Sequence, residues 1–256
     1  MREPAAIVAD LERELQLPPG SEERFSGYGV MGLPFRSGHV LGLRRFPASS
    51  IGPGYRSVWH RDPHGRWTFY QDQPAELACT RYFGSAVDDV REGPIGTEWT
   101  GPRTLRVRAG DGDLEWTLDL GSTPVTRLFN RAGAALPTRA WRSPLVLTGM
   151  SRVAGTALRA GRVRLTGLTP NGQQFAANPL IMWVATASQA TVGGVDLGEI
   201  GPAPEQATPA RLRDPAAGSV RRRSCDVHRP RCSSSANNRN CVNWAGGGGC
   251  PPSDPG

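Results

Sequence analysis

Apolar and polar positions change their period along the 256-residue chain, and the changes divide it into elements. In residues 4–17, Ile7, Val8, Leu11 and Leu15 recur at helical spacing ahead of Pro18-Pro19-Gly20, which predicts a short N-terminal helix and linker over 1–20, outside the main sheet. From Phe25 to about Leu120 the texture is one of short aromatic and β-branched runs punctuated by Gly, Pro and Asp, the signature of a β meander. The sharpest hairpin is SVWHRDPHGRWTFY. Asp62-Pro63-His64-Gly65 fits a type I turn, which sets Arg61 opposite Arg66 and pairs His60 with Trp67 and Val58 with Phe69 on one face. Ser57, Trp59, Thr68 and Tyr70 then share the other face, so one of two aromatic faces is free to line a cavity. A second hairpin is expected at Gly110-Asp111-Gly112, whose residues tolerate positive φ.

Between Thr123 and Ala160 the period becomes helical. Ser143-Pro144 reads as N-cap and N1, and Leu145, Val146, Met150, Val153, Ala154, Ala157 and Leu158 form an apolar stripe read as core rather than as a lipid face. Strands resume afterwards, with Asn171-Gly172 as a tight-turn signal and an apolar run over 180–185. The expected architecture is mainly β. It comprises an antiparallel barrel or paired sheets over 21–214, with an inserted helical pair at about 123–160 and the short N-terminal helix.

Composition removes several chemistries. All 30 basic residues are arginine, so neither a lysine Schiff base nor a P-loop lysine is available. Of the formal charge of +7, residues 215–256 contribute +4 and the body +3, too mild an excess to indicate a nucleic-acid partner. No signal-peptide core and no apolar run near 18 residues occurs, which makes cytoplasmic the default expectation and leaves no transmembrane segment. Cys79 is alone in the body, so a disulfide framework is not expected there, and its surroundings in ACTRYFG read as those of a buried small hydrophobe.

GYGVMG, Gly27 to Gly32, matches a dinucleotide-binding string, but Pro34 and further glycines follow where a helix is required, and no acidic residue lies between Arg24 and Asp62. A turn or bulge in a β region accounts for these glycines. His60 and His64 are four apart on a strand end and a turn, with no carboxylate set to complete a metal site, so no metal and no cofactor are expected. His60 reads as structural and His64 as solvated. Asp88, Asp89 and Glu92 read as a solvated strand edge rather than as a catalytic pair, and no G-x-S-x-G elbow is present. The candidate ligand-binding set is Tyr28, His39, Tyr55, His60, Trp67 and Phe69, with His60 and Glu98 as the candidates for moving a proton.

The tail differs from the body. Cys225, Cys232, Cys241 and Cys250 contain no C-x2-C pair, and the arginine run with Gly246–Gly249 lacks apolar periodicity, which predicts disorder over 215–256. Synonymous codons exist for Pro215 to Pro230 that, read one base later, encode PQRGLFAVGRATFID. That peptide has the apolar and aromatic character of a closing β-strand, so a frameshift or gene-end artefact is the first expectation for the tail, with a naturally disordered tail and a metal- or nucleic-acid-binding arm as the alternatives.

The stretch from FSGYGVMGLPFRSGHVLGLRRFPASS to HRDPHGRWTFY, with TRYFG, EWTGPRTLRV, LTGLTPNGQQFAANP and LGEIGPAPEQA, resembles a group of uncharacterised actinobacterial β-rich proteins over about residues 20–214. This resemblance implies no activity. It does imply a strand like the shifted peptide after EQA. The meander and tryptophan-rich hairpin are also distantly similar to the lipocalin-like fold of hydroxyneurosporene synthase and AttH-type proteins, which implies a β cavity and no particular catalytic residue. The expectation is therefore noncatalytic binding of an apolar small molecule or lipid in that cavity. The alternatives are a cofactor-free hydratase, isomerase or cyclase using His60 or Glu98, and a structural or interaction role. Replacing residues 215–256 by PQRGLFAVGRATFID is expected to raise Tm by about 4 °C or more in a thermal melt; an unchanged Tm overturns the frameshift reading.

Overall fold

A computed structural model describes residues 2–17, 20–136, 143, 145–146, 148–149, 165–177 and 179–201, together with the backbone of 241–244. Helix α1 (Pro4–Arg13) starts with proline at its first turn and buries Val8, with Ile7 and Leu11 packed on the main core. It ends earlier than the spacing predicts. Leu15 is exposed, so nothing rewards another turn. A bidentate pair from Arg103 to Glu3, at 2.6 and 3.0 Å, and an Arg45–Glu12 pair at 3.0 Å tie the helix to the sheet.

Strands β1 (Phe25–Pro34), β2 (Val40–Ser49), β3 (Tyr55–Arg61) and β4 (Trp67–Gln71) form the predicted antiparallel meander. The GYGVMG glycines lie inside β1, whose pairing with β2 is interrupted by bulges at Ser26/Tyr28 and Val30/Leu33. A Cβ at Gly27 or Gly29 would overlap the carbonyl oxygens of Arg45 and Leu43, so close backbone approach explains these residues.

The β3–β4 hairpin corrects the predicted register. Gly65 N–H donates to Asp62 O at 3.0 Å as a type I turn requires, but Asp62 N–H also donates to Arg66 O at 3.0 Å, and Gly65 has φ +88°. Gly65 is thus a bulge residue after the turn, and the loop gains one position. Arg61 pairs with Trp67, His60 with Thr68, Trp59 with Phe69 and Val58 with Tyr70. Because side chains alternate, this slip separates His60 and Val58 from Trp67 and Phe69, which lie on the opposite face. Thr169-Pro170-Asn171-Gly172-Gln173 repeats the geometry, with Thr169 N–H to Gln173 O at 2.8 Å, Gly172 N–H to Thr169 O at 2.9 Å and φ +88° at Gly172.

After β4 the chain crosses the outer face through α2 (Thr80–Phe83) and enters β5 (Asp89–Glu92), which is parallel to β4. That crossover departs from the predicted meander. Gly93-Pro94-Ile95 leads directly into β6 (Gly96–Trp99), followed by antiparallel β7 (Thr104–Ala109) and β8 (Leu114–Gly121). Their connection holds Gly110, Asp111 and Gly112 at positive φ, as expected. Helix α3 (Pro124–Ala135), capped by Thr123, is the first of the predicted helical pair; the second falls mostly outside the described residues. A hairpin of β9 (Thr166–Leu168) and β10 (Gln174–Ala176) precedes the long β11 (Pro179–Val192), which pairs with β8 and with the short β12 (Val195–Asp196). A last strand, β13 (Cys241–Trp244), belongs to the tail that was expected to be disordered; the rest of 215–256 lies outside the described residues.

The pairing order is β5-β4-β3-β2-β1-β13-β11-β8-β7-β6. The fold is mainly β, but β5 and β6 do not pair among the described residues, so the order runs open and no closed barrel is present. One core, including Tyr28, Leu43, Val58, Tyr70, Leu105, Trp116, Leu118 and Trp183, collects side chains from both halves of the sheet. A second, on the outer face of β1–β4, unites Phe25, Phe46, Tyr55 and Phe69 with Cys79 and Tyr82 of the crossover. Gly172→Ala is expected to cost about 1–2 kcal/mol through its left-handed φ alone, since no neighbour meets its Cβ. Gly29→Ala is expected to cost about 3 kcal/mol or more, because strand separation is added. Denaturant melts check the ordering, and equal losses would overturn it.

Candidate functional site

The corrected register places His60 on the core face of β3, opposite Leu41 and Thr68. His39, just before β2, meets it. Nδ1 of His39 lies 2.9 Å from Nε2 of His60, with the rings 11° apart in plane and their centroids separated by 5.1 Å. A nitrogen contact that short with centroids that far apart is an edge-to-edge hydrogen bond between imidazoles, in which one ring donates and the other accepts. Both rings cannot be protonated on the shared edge. Burial lowers the pKa of His60 to about 4, helped by the neighbouring His39, and burial also lowers that of His39. The pair is neutral at pH 7.

One cross-strand position from His60, Tyr70 shares its face and extends a polar string that was not foreseen. Tyr70 Oη donates to Asp113 at 2.6 Å, Arg91 Nη1 donates to the same carboxylate oxygen at 2.7 Å, and Arg91 Nε donates to Asp89 at 3.0 Å. Burial and the Asp113 hydrogen bond push the Tyr70 hydroxyl well above its ordinary range. The Asp113 and Arg91 charges act on His60 as well. Asp113 sits in the β7–β8 connection and Arg91 on β5, so three separate segments supply this string. Sequence spacing carries no signal for it.

The other nominated residues scatter. Tyr28 is buried in the main core, where its hydroxyl donates to Glu12 at 3.3 Å and burial raises its pKa. Tyr55 lies in the outer core with its hydroxyl 3.1 Å from Cys79 Sγ. Trp67 and Phe69 are on that outer face, where Phe69 stacks on Trp59 at 4.4 Å and Arg44 lies 4.6 Å over Trp59. Trp67 therefore does not sit beside His60. Glu98 is exposed on β6, while Trp99 next to it packs against the main core, so Glu98 and the buried His60 do not face a common cavity. His64 is exposed and Cys79 buried, as expected. Among the described residues no group of three potential metal ligands occurs.

None of the three described cavities is lined by Tyr28, His39, Tyr55, His60, Trp67, Phe69 or Glu98. The largest, ≈ 670 Å³, is a groove between α3 and the start of β11. Its wall is apolar at Pro124, Leu128, Ala134, Leu180 and Ile181, and Arg127 and Arg131 stand one helical turn apart along it. Leu128 leaves 70 % of its surface exposed. No carboxylate pairs with Arg127 or Arg131 among the described residues. The groove is held open by Asn130, whose side-chain amide donates to Met182 O at 3.0 Å and accepts from Met182 N–H at 2.8 Å, clamping α3 to β11 as a strand neighbour would. Sequence reading missed it because the apolar stripe it singled out, Leu145 to Leu158, lies in the following segment, and no face was assigned to α3. The Arg127, Leu128, Arg131 spacing was the available signal.

No family model matches the chain, and no curated protein or solved structure is similar to it. Among the described residues no helix is long and apolar enough to cross a membrane.

The His60 value below that of an exposed imidazole means that, between about pH 6.5 and 4, the unfolded chain binds a proton that the folded chain does not. Stability from this group is complete above about 6.5 and is lost as pH falls toward 4. Denaturant melts across that window are expected to show the loss, and His60→Gln to flatten it. An imidazole resonance of His60 titrating near 6.5 would contradict the buried pair.

Proposed function

We propose that the protein binds a small amphiphile, an apolar body with one anionic end, without transforming it, in the groove between α3 and β11. The observation that carries this reading is the combination in one groove of exposed apolar walls with two arginines that have no carboxylate partner among the described residues. A volume of ≈ 670 Å³ is ample for a medium-length acyl chain, and ligand sites have this makeup, mostly apolar with a few placed polar groups. Arginine offers a planar fork that matches a carboxylate, sulfate or phosphate, so the end group is anionic. The site lies outside the β interior where an apolar ligand was first expected. The interior position is disfavoured because both sheet faces around the nominated aromatics are filled by side chains. The catalytic alternative has less support: the neutral imidazole pair suits proton transfer, but no described cavity reaches it.

Titration calorimetry with decanoate is expected to give saturable binding. Arg131→Gln should weaken it about tenfold, as loss of one charge-assisted contact does. Leu128→Asp should abolish it, with the circular dichroism spectrum unchanged because Leu128 is exposed. Absence of saturable binding, or binding indifferent to Leu128→Asp, would sink the proposal.

A further inference from the structure

The hydrogen-bonding column between β1 and β11 is occupied in two opposite senses along its length. At one end the chain's own run 195–201 lies in it. Asp196 and Val195 pair with Thr191 and Val192 of β11, and Leu197 N–H donates to Ala190 O at 2.9 Å. The same run then turns its hydrogen bonds to β1. Ile200 bridges Phe35 in the antiparallel sense, Arg36 N–H donates to Glu199 O at 2.9 Å, and Gly201 N–H donates to Pro34 O at 3.1 Å. This run is antiparallel to both neighbours. At the other end β13 is parallel to both, with Val242 level with Tyr28 and Ile181, and Trp244 level with Val30 and Trp183.

The two registers describe one column. Extrapolated from β13, Phe35 falls level with Ser188; followed along 195–201, Phe35 falls level with Ala187. They agree to within one residue. The run 195–201 thus enters the column as an antiparallel strand aimed between β1 and β11.

We propose that the part of this column flanked by Tyr28–Val30 and Ile181–Trp183 is an acceptor site for an antiparallel strand, with β13 as a replaceable occupant. The fitting partner is an extended, proline-free peptide with apolar residues at alternate positions. Three features define that partner. Direction is set by the run 195–201, which already lies antiparallel in the column. Alternation is set by the neighbours, since Tyr28, Val30 and Trp183 are buried in the main core, and an occupant between them presents every second side chain to it. Freedom from proline is set by the ladder, because a central strand needs its N–H groups on both sides. The chain directly after Gly201 fails that requirement, with Pro202, Pro204 and Pro209 in the next eight residues. β13 meets the hydrogen-bonding need over only four residues, and parallel pairing is the weaker kind per residue. The site shares Ile181 with the wall of the α3 groove, but it is read through backbone pairing along β1, and its test is separate from that of amphiphile binding.

The test uses the full chain and the synthetic peptide PQRGLFAVGRATFID, whose every second residue through its middle (Leu, Ala, Gly, Ala, Phe) is apolar or glycine and which has no proline beyond its first position, carrying a nitroxide at its N-terminus. Fluorescence or calorimetric titration is expected to give saturable one-to-one binding. The label should broaden amide resonances at Leu33 and Phe35, the end of β1 that an antiparallel strand enters first. A control peptide, PQRGLPAPGRATFID, should not bind. Val242→Pro removes an N–H from the resident strand and is expected to tighten peptide binding about tenfold. No saturable binding to either protein overturns the proposal. So does broadening at Phe25 and Ser26, which would mean parallel entry, or an affinity unmoved by Val242→Pro. A concentration-dependent dimer that excludes the peptide would assign the column to a second copy and overturn it equally.

Discussion

Burial of β1–β4 on both faces is the constraint from which the rest of the fold follows. The inner face closes against β7, β8 and β11, and the outer face needs its own cover. That cover is the crossover through α2, which brings Ala78, Cys79 and Tyr82 onto Phe25, Phe46, Tyr55 and Phe69. Crossing a face before rejoining the sheet obliges the next strand to run parallel to β4, and β5 does. Two buried faces also leave no room for side chains where β1 and β2 approach most closely, hence Gly27 and Gly29. A buried cation is tolerated there only because it is well met. Arg44 donates to Val30 O at 2.7 Å and Leu43 O at 2.9 Å while lying over Trp59.

Much of this was legible in the sequence where the information is local. Asp62-Pro63-His64-Gly65 and Asn171-Gly172 announced their two turns, GDG announced its positive φ angles, and the misfit of GYGVMG with a nucleotide site pointed to a turn or bulge, of which bulges are present. What failed was one residue of register. A glycine in the fourth place of a type I turn serves equally as a bulge, and local chemistry does not separate the two outcomes. The consequence was large because side chains alternate: His60 lost Trp67 as a neighbour and gained His39 and the Tyr70 string.

The candidate sites were less legible than the fold. His39 and His60 were nominated in one set and meet through β2–β3 pairing, whereas Tyr70, Arg91 and Asp113 come together from segments whose adjacency depends on the crossover. Arg127 and Arg131 were visible as helical neighbours, but nothing in their spacing tells whether carboxylates of distant strands will neutralise them. Such pairing is widespread elsewhere, as in Arg56–Asp72 at 3.1 Å and Arg81–Glu23 at 2.8 Å. What sets α3 apart is that, among the described residues, its arginines are left out of that network.

The run from β5 to β6 has a further consequence for how the molecule assembles and comes apart. Its first half is hydrogen-bonded to one end of the strand order and its second half to the other, across only Gly93-Pro94-Ile95. Its second half pairs with β7 across the short turn 100–103, a local contact, whereas its first half reaches β4 only when the α2 crossover has folded back, so β5 is the half limited by loop closure. Conversely, its release frees two remote edges at once. The short linker therefore ties the two ends of the strand order to each other without any pairing between them among the described residues.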